Sequence, residues 1–336
     1  MTIFTTTTKA LVVTAAVALL AACGGGSDGD KAKTGTLKLG ITDAPVDDAL
    51  AVWVKFTGVE LKPKAGQAYS VDFASPKSIN LLNFQGTDRA ILLDEQVTAG
   101  EYEWVRLKVQ AEPNILDDTY LVDKTGASCE MRIPSGDETG LKVIRGFTIA
   151  VGGVTDFTFD FDLRKSIVAP PGQNTPAGPC GGQVYTLKPV LRVVDNLQVG
   201  TITGAVRTDV ITSLTQCGSS TESPYPGNVY LYRIPDGLTD ITPDDYDGIV
   251  NDANGPDPIA SAKVDQNTFR YTIGFVAPGR YQVAYTCDMD NVTLDADVTP
   301  APPALPEVVD LYPVDDYIVT VDANKTTTAD FPRPTL

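Results

Sequence analysis

Apolar and polar residues alternate in short runs along most of this chain. Thr36-Leu37-Lys38-Leu39-Gly40-Ile41 opens the series, and Val52, Val54 and Phe56 then alternate with Trp53 and Lys55. Tyr102 to Val109 alternates again, as does Phe157 to Leu163, and Val184 to Val194 reads as a further strand. A period of two sends successive side chains to opposite faces, so each run predicts a half-buried β-strand. Shorter strands are expected within 69–73 and 79–84, while 89–97 fits either a strand or a short helix. Turn residues separate the runs, most densely in the Pro/Gly-rich stretch 168–182 and the proline-rich stretch 300–306. With no long amphipathic helical pattern, the reading is an all-β protein of antiparallel sandwich or barrel type.

The pattern restarts near residue 198. Gly200 to Val206 alternates, and strands are expected within 228–232, 260–264, 268–275, 281–285, 317–321 and 326–331. One short element recurs: Thr98-Ala99-Gly100-Glu101-Tyr102 in the first half parallels Ala277-Pro278-Gly279-Arg280-Tyr281 in the second. Each is a glycine turn feeding an alternating strand. Two antiparallel β-sandwich domains are therefore expected, over residues 35–197 and 198–336.

Ahead of them, residues 10–22 form an almost wholly apolar run of small side chains behind Lys9. It is too short to span a bilayer as a helix and fits a signal peptide over 1–22. Leu20-Ala21-Ala22-Cys23 resembles the lipobox of bacterial lipoproteins. The resemblance implies cleavage before Cys23, lipid on that residue, and a flexible tether over 23–34. Gly24 in the next position implies sorting to the outer membrane.

Cysteine parity agrees. Of five cysteines, removing Cys23 leaves Cys129, Cys180, Cys217 and Cys287, an even number for an exported chain. Four cysteines allow three pairings. Cys129–Cys180 with Cys217–Cys287 keeps each bridge inside one domain and is favoured over the other pairings, with four buried free thiols as the alternative.

Composition narrows the chemistry. The net charge of −17 is uneven: residues 34–197 carry 16 Lys/Arg against 21 Asp/Glu, and residues 198–336 carry 7 against 20. A surface this acidic repels nucleic acid. The chain has no histidine, so neither a Ser-His-Asp nor a Cys-His arrangement can form. Phosphate-binding glycine loops and nucleophile elbows are also lacking. A glycosidase carboxylate pair is the remaining enzymatic option, and 43 acidic residues make any such pair uninformative.

Gly35 to Pro45, continuing through Val52-Trp53-Val54 to Gly58-Val59-Glu60-Leu61, resembles an uncharacterised bacterial domain family, domain of unknown function 4382. Its members typically follow a lipobox. The resemblance covers roughly residues 34–195 and implies a location, not an activity. Gly200 to Val206, Val229-Tyr230-Leu231-Tyr232, Ala277 to Tyr281 and Val321 to Thr326 resemble a transthyretin-like or carboxypeptidase-regulatory-like β-sandwich. That superfamily shares its fold with starch-binding-like domains, which implies sugar binding by fold analogy.

Two constellations are candidate sites. Asp244, Asp245, Asp247, Asp252, Asn254 and Asp257 could supply the oxygens calcium wants, although no glutamate closes an EF-hand spacing and the same residues are ordinary turn formers. Trp53 with Lys55, and Tyr102 with Trp104 and Arg106, fall on the more polar faces of their strands. If the two strands are neighbours, they form one aromatic-cationic platform for a sugar or a partner protein. The competing reading packs both tryptophans beneath a loop or beneath Arg and Lys stems. The sequence thus predicts a non-catalytic outer-membrane lipoprotein, anchored to the membrane by its N-terminal lipid and binding a polysaccharide or envelope protein. It requires no cofactor, with calcium as a candidate ligand. A purely structural envelope component is the alternative, and an envelope glycoside hydrolase a third.

Overall fold

The computed structural model describes residues 33–44, 49–112, 118–133, 141–143, 145–168, 180, 184–188, 190–213, 226–243, 256–287, 312 and 317–332. The alternating runs form strands, except that the one strand expected over 184–194 divides into two short strands that join different sheets. The first thirteen are β1 (Thr34–Ala44), β2 (Ala49–Pro63), β3 (Tyr69–Asn80), β4 (Ala90–Thr98), β5 (Gly100–Gln110), β6 (Tyr120–Asp123), β7 (Ser128–Arg132), β8 (Leu141–Val143), β9 (Phe147–Ile149), β10 (Val154–Asp162), β11 (Ile167–Val168), β12 (Tyr185–Leu187) and β13 (Leu191–Asp195). They make two sheets around one core. The smaller has the order β13-β10-β1-β4, and the larger runs β11-β12-β7-β6-β2-β5-β8, with β3 on the free side of β2 and β9 on β5. Leu37, Leu39 and Ile41 of β1 and Phe159 and Phe161 of β10 meet Val52, Val54, Phe56, Val59 and Leu61 of β2, all fully buried.

A second core follows. It lies between β17 (Arg270–Val276), β14 (Gly200–Ala205) and β20 (Thr326–Thr328) on one side, and β16 (Ala260–Lys263), β15 (Asn228–Arg233), β18 (Gly279–Thr286) and β19 (Ile318–Val321) on the other. Ile202, Tyr271, Ile273, Tyr285, Val283 and Phe331 fill it. The change from one core to the next falls between the end of β13 and the start of β14.

The fold is all-β, as the pattern predicts, but pairing is not uniformly antiparallel. β1 runs parallel to β10, β7 to β12, and β14 to β20. Parallel neighbours need a crossover, and the chain provides one by passing repeatedly between sheets: β1 and β10 share the small sheet while most of the large sheet is laid down between them. The ambiguous run at 89–97 is strand β4. Residues 69–80 form one long strand, followed by a one-turn helix, Leu81–Asn83, whose Leu82 N–H is capped by the Asn80 side chain.

The recurring turn has a common structure in both units. The Tyr102 hydroxyl donates to the Thr98 carbonyl at 2.6 Å, and the Tyr281 hydroxyl donates to the Ala277 carbonyl at 2.7 Å. Both rings are buried, and both hydroxyls tie the strand back to the residue four positions upstream, the geometry of a tyrosine corner. Burial pushes the Tyr102 and Tyr281 hydroxyls above the ordinary tyrosine range.

On the outer face of the small sheet, Arg89 crosses Gly40, where a Cβ would lie 2.7 Å from the Arg89 Cδ. Arg89 reaches both carboxylate oxygens of Asp156, at 2.6 and 2.9 Å, and the Thr158 hydroxyl at 3.1 Å. Asn196 closes the network onto Thr158 and Asp156. The two units touch where a Cβ on Gly274 would lie 2.0 Å from the Gly86 carbonyl oxygen, and where Lys165 donates to the Pro258 carbonyl and pairs with Asp257 at 3.4 Å. The bridge Cys129–Cys180 is present, with a Cα–Cα distance of 5.6 Å. Of the second expected bridge, Cys217 lies outside the described residues, while Cys287 is buried and disulfide-bonded.

Candidate functional site

The outer face of the large sheet is built by alternation on β2, β5 and β6. Val52, Val54 and Phe56 point inward, so Trp53 and Lys55 point out. A register shift between Phe56 and Gly58 resets the phase, after which Val59 and Leu61 are the buried pair and Glu60 and Lys62 face out. On β5, Val105, Leu107 and Val109 are buried, leaving Trp104, Arg106, Lys108 and Gln110 on the outer face. The registers Lys62↔Trp104, Glu60↔Arg106 and Lys55↔Gln110 place these side chains in one surface. β5 and β6 follow one another along the same edge of β2, so Tyr120 comes to lie opposite Trp53.

The expected platform is thereby divided. Tyr102 does not share a face with Trp104: a second register shift, between Lys62 and Pro63, turns it into the core, where it is 3% exposed and stacks on Phe147 at 5.1 Å. Trp104 lies beneath cations, with the Arg106 guanidinium 5.1 Å and the Lys142 ammonium 4.3 Å from its ring, which is the competing reading of that tryptophan. Trp53 is nine β2 positions from Lys62, the residue opposite Trp104, a separation of roughly 30 Å at strand rise. Two strands can be neighbours while their tryptophans sit at opposite ends.

At its own end Trp53 has a different aromatic partner. Its ring and that of Tyr120 have centroids 6.3 Å apart and planes only 18° from parallel. Both are half-buried. Tyr120 opens the apolar run Tyr120-Leu121-Val122, rich in strand formers, but its place beside Trp53 depends on a pairing 67 residues away in sequence, which no local pattern discloses.

The ions on this face are mostly spent on one another. Arg106 pairs with Glu60 at 2.9 Å, Lys62 with Glu103 at 3.7 Å, Arg132 with Glu130 at 2.7 Å, and Lys108 with Asp72. Beside the ring pair the position changes. Lys55, two residues along β2 from Trp53, has no ion-pair or hydrogen-bond partner for its ammonium among the described residues. The Tyr120 hydroxyl and the Trp53 indole N–H likewise make no hydrogen bond there.

A concavity of about 480 Å³ opens at the tyrosine corner of the first unit, lined by Pro63, Lys64, Ala65, Tyr69, Thr98 and Tyr102 among others. Tyr102 shares a 2.8 Å hydrogen bond with the Tyr69 hydroxyl. The Lys64–Glu101 hydrogen bond, 2.8 Å long, holds Glu101 below and Lys64 above their ordinary values. Tyr102, Lys64 and Glu101 are thus moved away from neutrality, the reverse of the tuning that proton transfer near pH 7 needs.

The remaining expected residues fall as follows. Cys23 and the calcium candidates Asp244, Asp245, Asp247, Asp252 and Asn254 lie outside the described residues, and Asp257 ion-pairs with Lys165. Asp123, Cys129 and Cys180 bring potential metal ligands within 4.8 Å of one another, but the two sulfurs are joined in a disulfide and are not the thiolates a metal takes. Among the described residues no helix is long and apolar enough to cross a membrane.

Fold and face together define an all-β protein of two sandwich units whose larger sheet carries an aromatic pair beside an uncommitted cation. Residues 34–189, just under half of the 336, match the profile of a family described as a domain of unknown function, DUF4382. No curated protein matches the chain. Among solved structures it is similar to the TIE protein of Bacillus anthracis, at 8% identity and a TM-score of 0.18, covering 90% of this chain and 34% of that one. It therefore spans about a third of that longer protein. It is also similar to GBS52, the minor pilin of Streptococcus agalactiae (10% identity, TM-score 0.17, 89% of this chain and 98% of that one). A third is BcpA, the major pilin subunit of Bacillus cereus (11% identity, TM-score 0.18, 89% and 98%). Scores this low do not equate the folds.

Proposed function

We propose that this chain is a non-catalytic binding module of the cell envelope, held on the outer membrane by lipid on Cys23, and that it grips polysaccharide with the Trp53–Tyr120 pair. The observation that carries this reading is the ring pair itself. Two near-parallel aromatic rings on a rigid sheet face offer apolar surface to the flat faces of sugar rings. The indole N–H, the phenol and the Lys55 ammonium beside them are left to meet hydroxyl groups. The sheet supplies the rigidity, because Val52, Val54 and Leu121 behind the pair are packed into the core. The lipobox and the 480 Å³ cleft with its displaced titratable groups support the anchored and non-catalytic parts of the reading.

The test uses the chain from Cys23 onward with Cys23→Ser, titrated with a panel of soluble polysaccharides and followed by calorimetry and tryptophan fluorescence. Binding should be saturable. Trp53→Ala should weaken it at least about tenfold, as loss of a central aromatic anchor does, while leaving the thermal melt of the first unit within about 2 °C. Trp104→Ala, which removes a ring already covered by the Arg106 and Lys142 cations, should leave binding intact. No binding across the panel, or equal weakening by both substitutions, refutes the assignment. Palmitate incorporation in cells that is abolished by Cys23→Ser checks the anchor.

A further inference from the structure

We infer that the sugar taken by this face is acidic, carrying one negative charge per bound unit; this rests on the reading of Trp53 and Tyr120 as a sugar platform. The argument begins with charge. The chain as a whole carries −17, so its far field repels an acidic polymer, and recognition of one needs a specific local cation. On the outer face of the large sheet the cations named above are neutralised by carboxylates or seated on the Trp104 ring. Lys55 is the exception among them. Lys55 is half-buried on the same face as Trp53, and no carboxylate of the described residues reaches its ammonium.

A cation with no counter-ion of its own can donate a charge-assisted hydrogen bond to an anion that arrives beside the rings. Directly across the ladder sits Gln110, whose amide reaches Glu112 at only 3.5 Å and is available to a sugar hydroxyl. A single ammonium beside two rings therefore matches a ring that stacks and bears one carboxylate or one sulfate ester. It does not match a phosphate cluster, which calls for several cations.

The experiment titrates the Cys23→Ser chain with polygalacturonate, dextran sulfate and neutral dextran. At low salt at least one acidic polymer should bind about tenfold or more tightly than the neutral one, and the comparison of the two tells carboxylate from sulfate. The preference should fade in about 0.5 M salt, where screening acts over a few ångströms. Lys55→Gln should abolish the preference and keep the weaker stacking affinity that Trp53→Ala removes, whereas Lys55→Arg should retain it. Equal affinity for acidic and neutral polymers, unchanged by Lys55→Gln while Trp53→Ala still weakens both, overturns the inference and leaves the platform standing. If no polymer binds, platform and inference fall together.

Discussion

Alkali should unfold the second unit before the first. Tyr271, Tyr281 and Tyr285 are 2%, 1% and 0% exposed, and each hydroxyl donates to a backbone carbonyl, those of Ala329, Ala277 and Pro226. Burial is the leading cause that pushes all three above the ordinary tyrosine value. An unfolded tyrosine ionises near pH 10. Below that pH, folded and unfolded chains both keep these protons, and stability is indifferent to pH on their account. Above it the unfolded chain sheds protons that the folded chain retains, so stability falls as pH rises towards the folded values. Each tyrosine contributes about 1.4 kcal/mol per pH unit, and three together about 4. A unit with about 5 kcal/mol of stability would then be lost little more than one pH unit above 10. In the first unit, Tyr102 has the same kind of shift and supplies about 1.4 kcal/mol per unit. Urea melts from pH 7 to 11.5, with tyrosinate absorbance counting the ionised rings, measure both slopes. Tyr271→Phe keeps the ring beside Phe331 but removes a proton-holding group. It should cost about 1–2 kcal/mol at pH 7 through the bond lost by the Ala329 carbonyl, and should flatten the alkaline slope by about a third. A slope unchanged across pH 10, or unaltered by Tyr271→Phe, would refute the reasoning.

Two further outcomes follow from the first unit. Arg89→Ala should destabilise it by about 3 kcal/mol in chemical denaturation, because Asp156 then stays largely buried without its guanidinium. Burial alone would raise the Asp156 carboxyl, but hydrogen bonds from Arg89 and Asn196 outweigh it and hold the group low. Its stabilising contribution is thus present above about pH 4 and lost as pH falls further, and Arg89→Ala should reduce that acid sensitivity. Replacing Cys129 and Cys180 together by serine reopens a loop with a sequence separation of 51, which costs on the order of 4 kcal/mol in the chain-entropy model. A loss under 1 kcal/mol in the same urea assay would mean the bridge constrains little beyond what the sheet already holds.

Much of this molecule is legible one strand at a time. Period-two alternation marks β1, β2, β5 and β10 and tells which of their side chains enter a core. Parity leaves three cysteine pairings, keeping each bridge inside one domain points to Cys129–Cys180, and the missing histidine removes whole classes of catalysis. Those are local or compositional properties, and a chain carries them whether or not it is folded. The site depended on what is not local. A register shift of one residue inverts every following side chain, which is how Tyr102 left the expected platform and entered the core. Strand pairing across 67 residues set Tyr120 against Trp53, and the length of β2 carried Trp104 away from both. Alternation states which face a residue takes; only the closed hydrogen-bond ladders decide which residues share that face, because pairing and bulges are settled by the burial of the whole sheet at once.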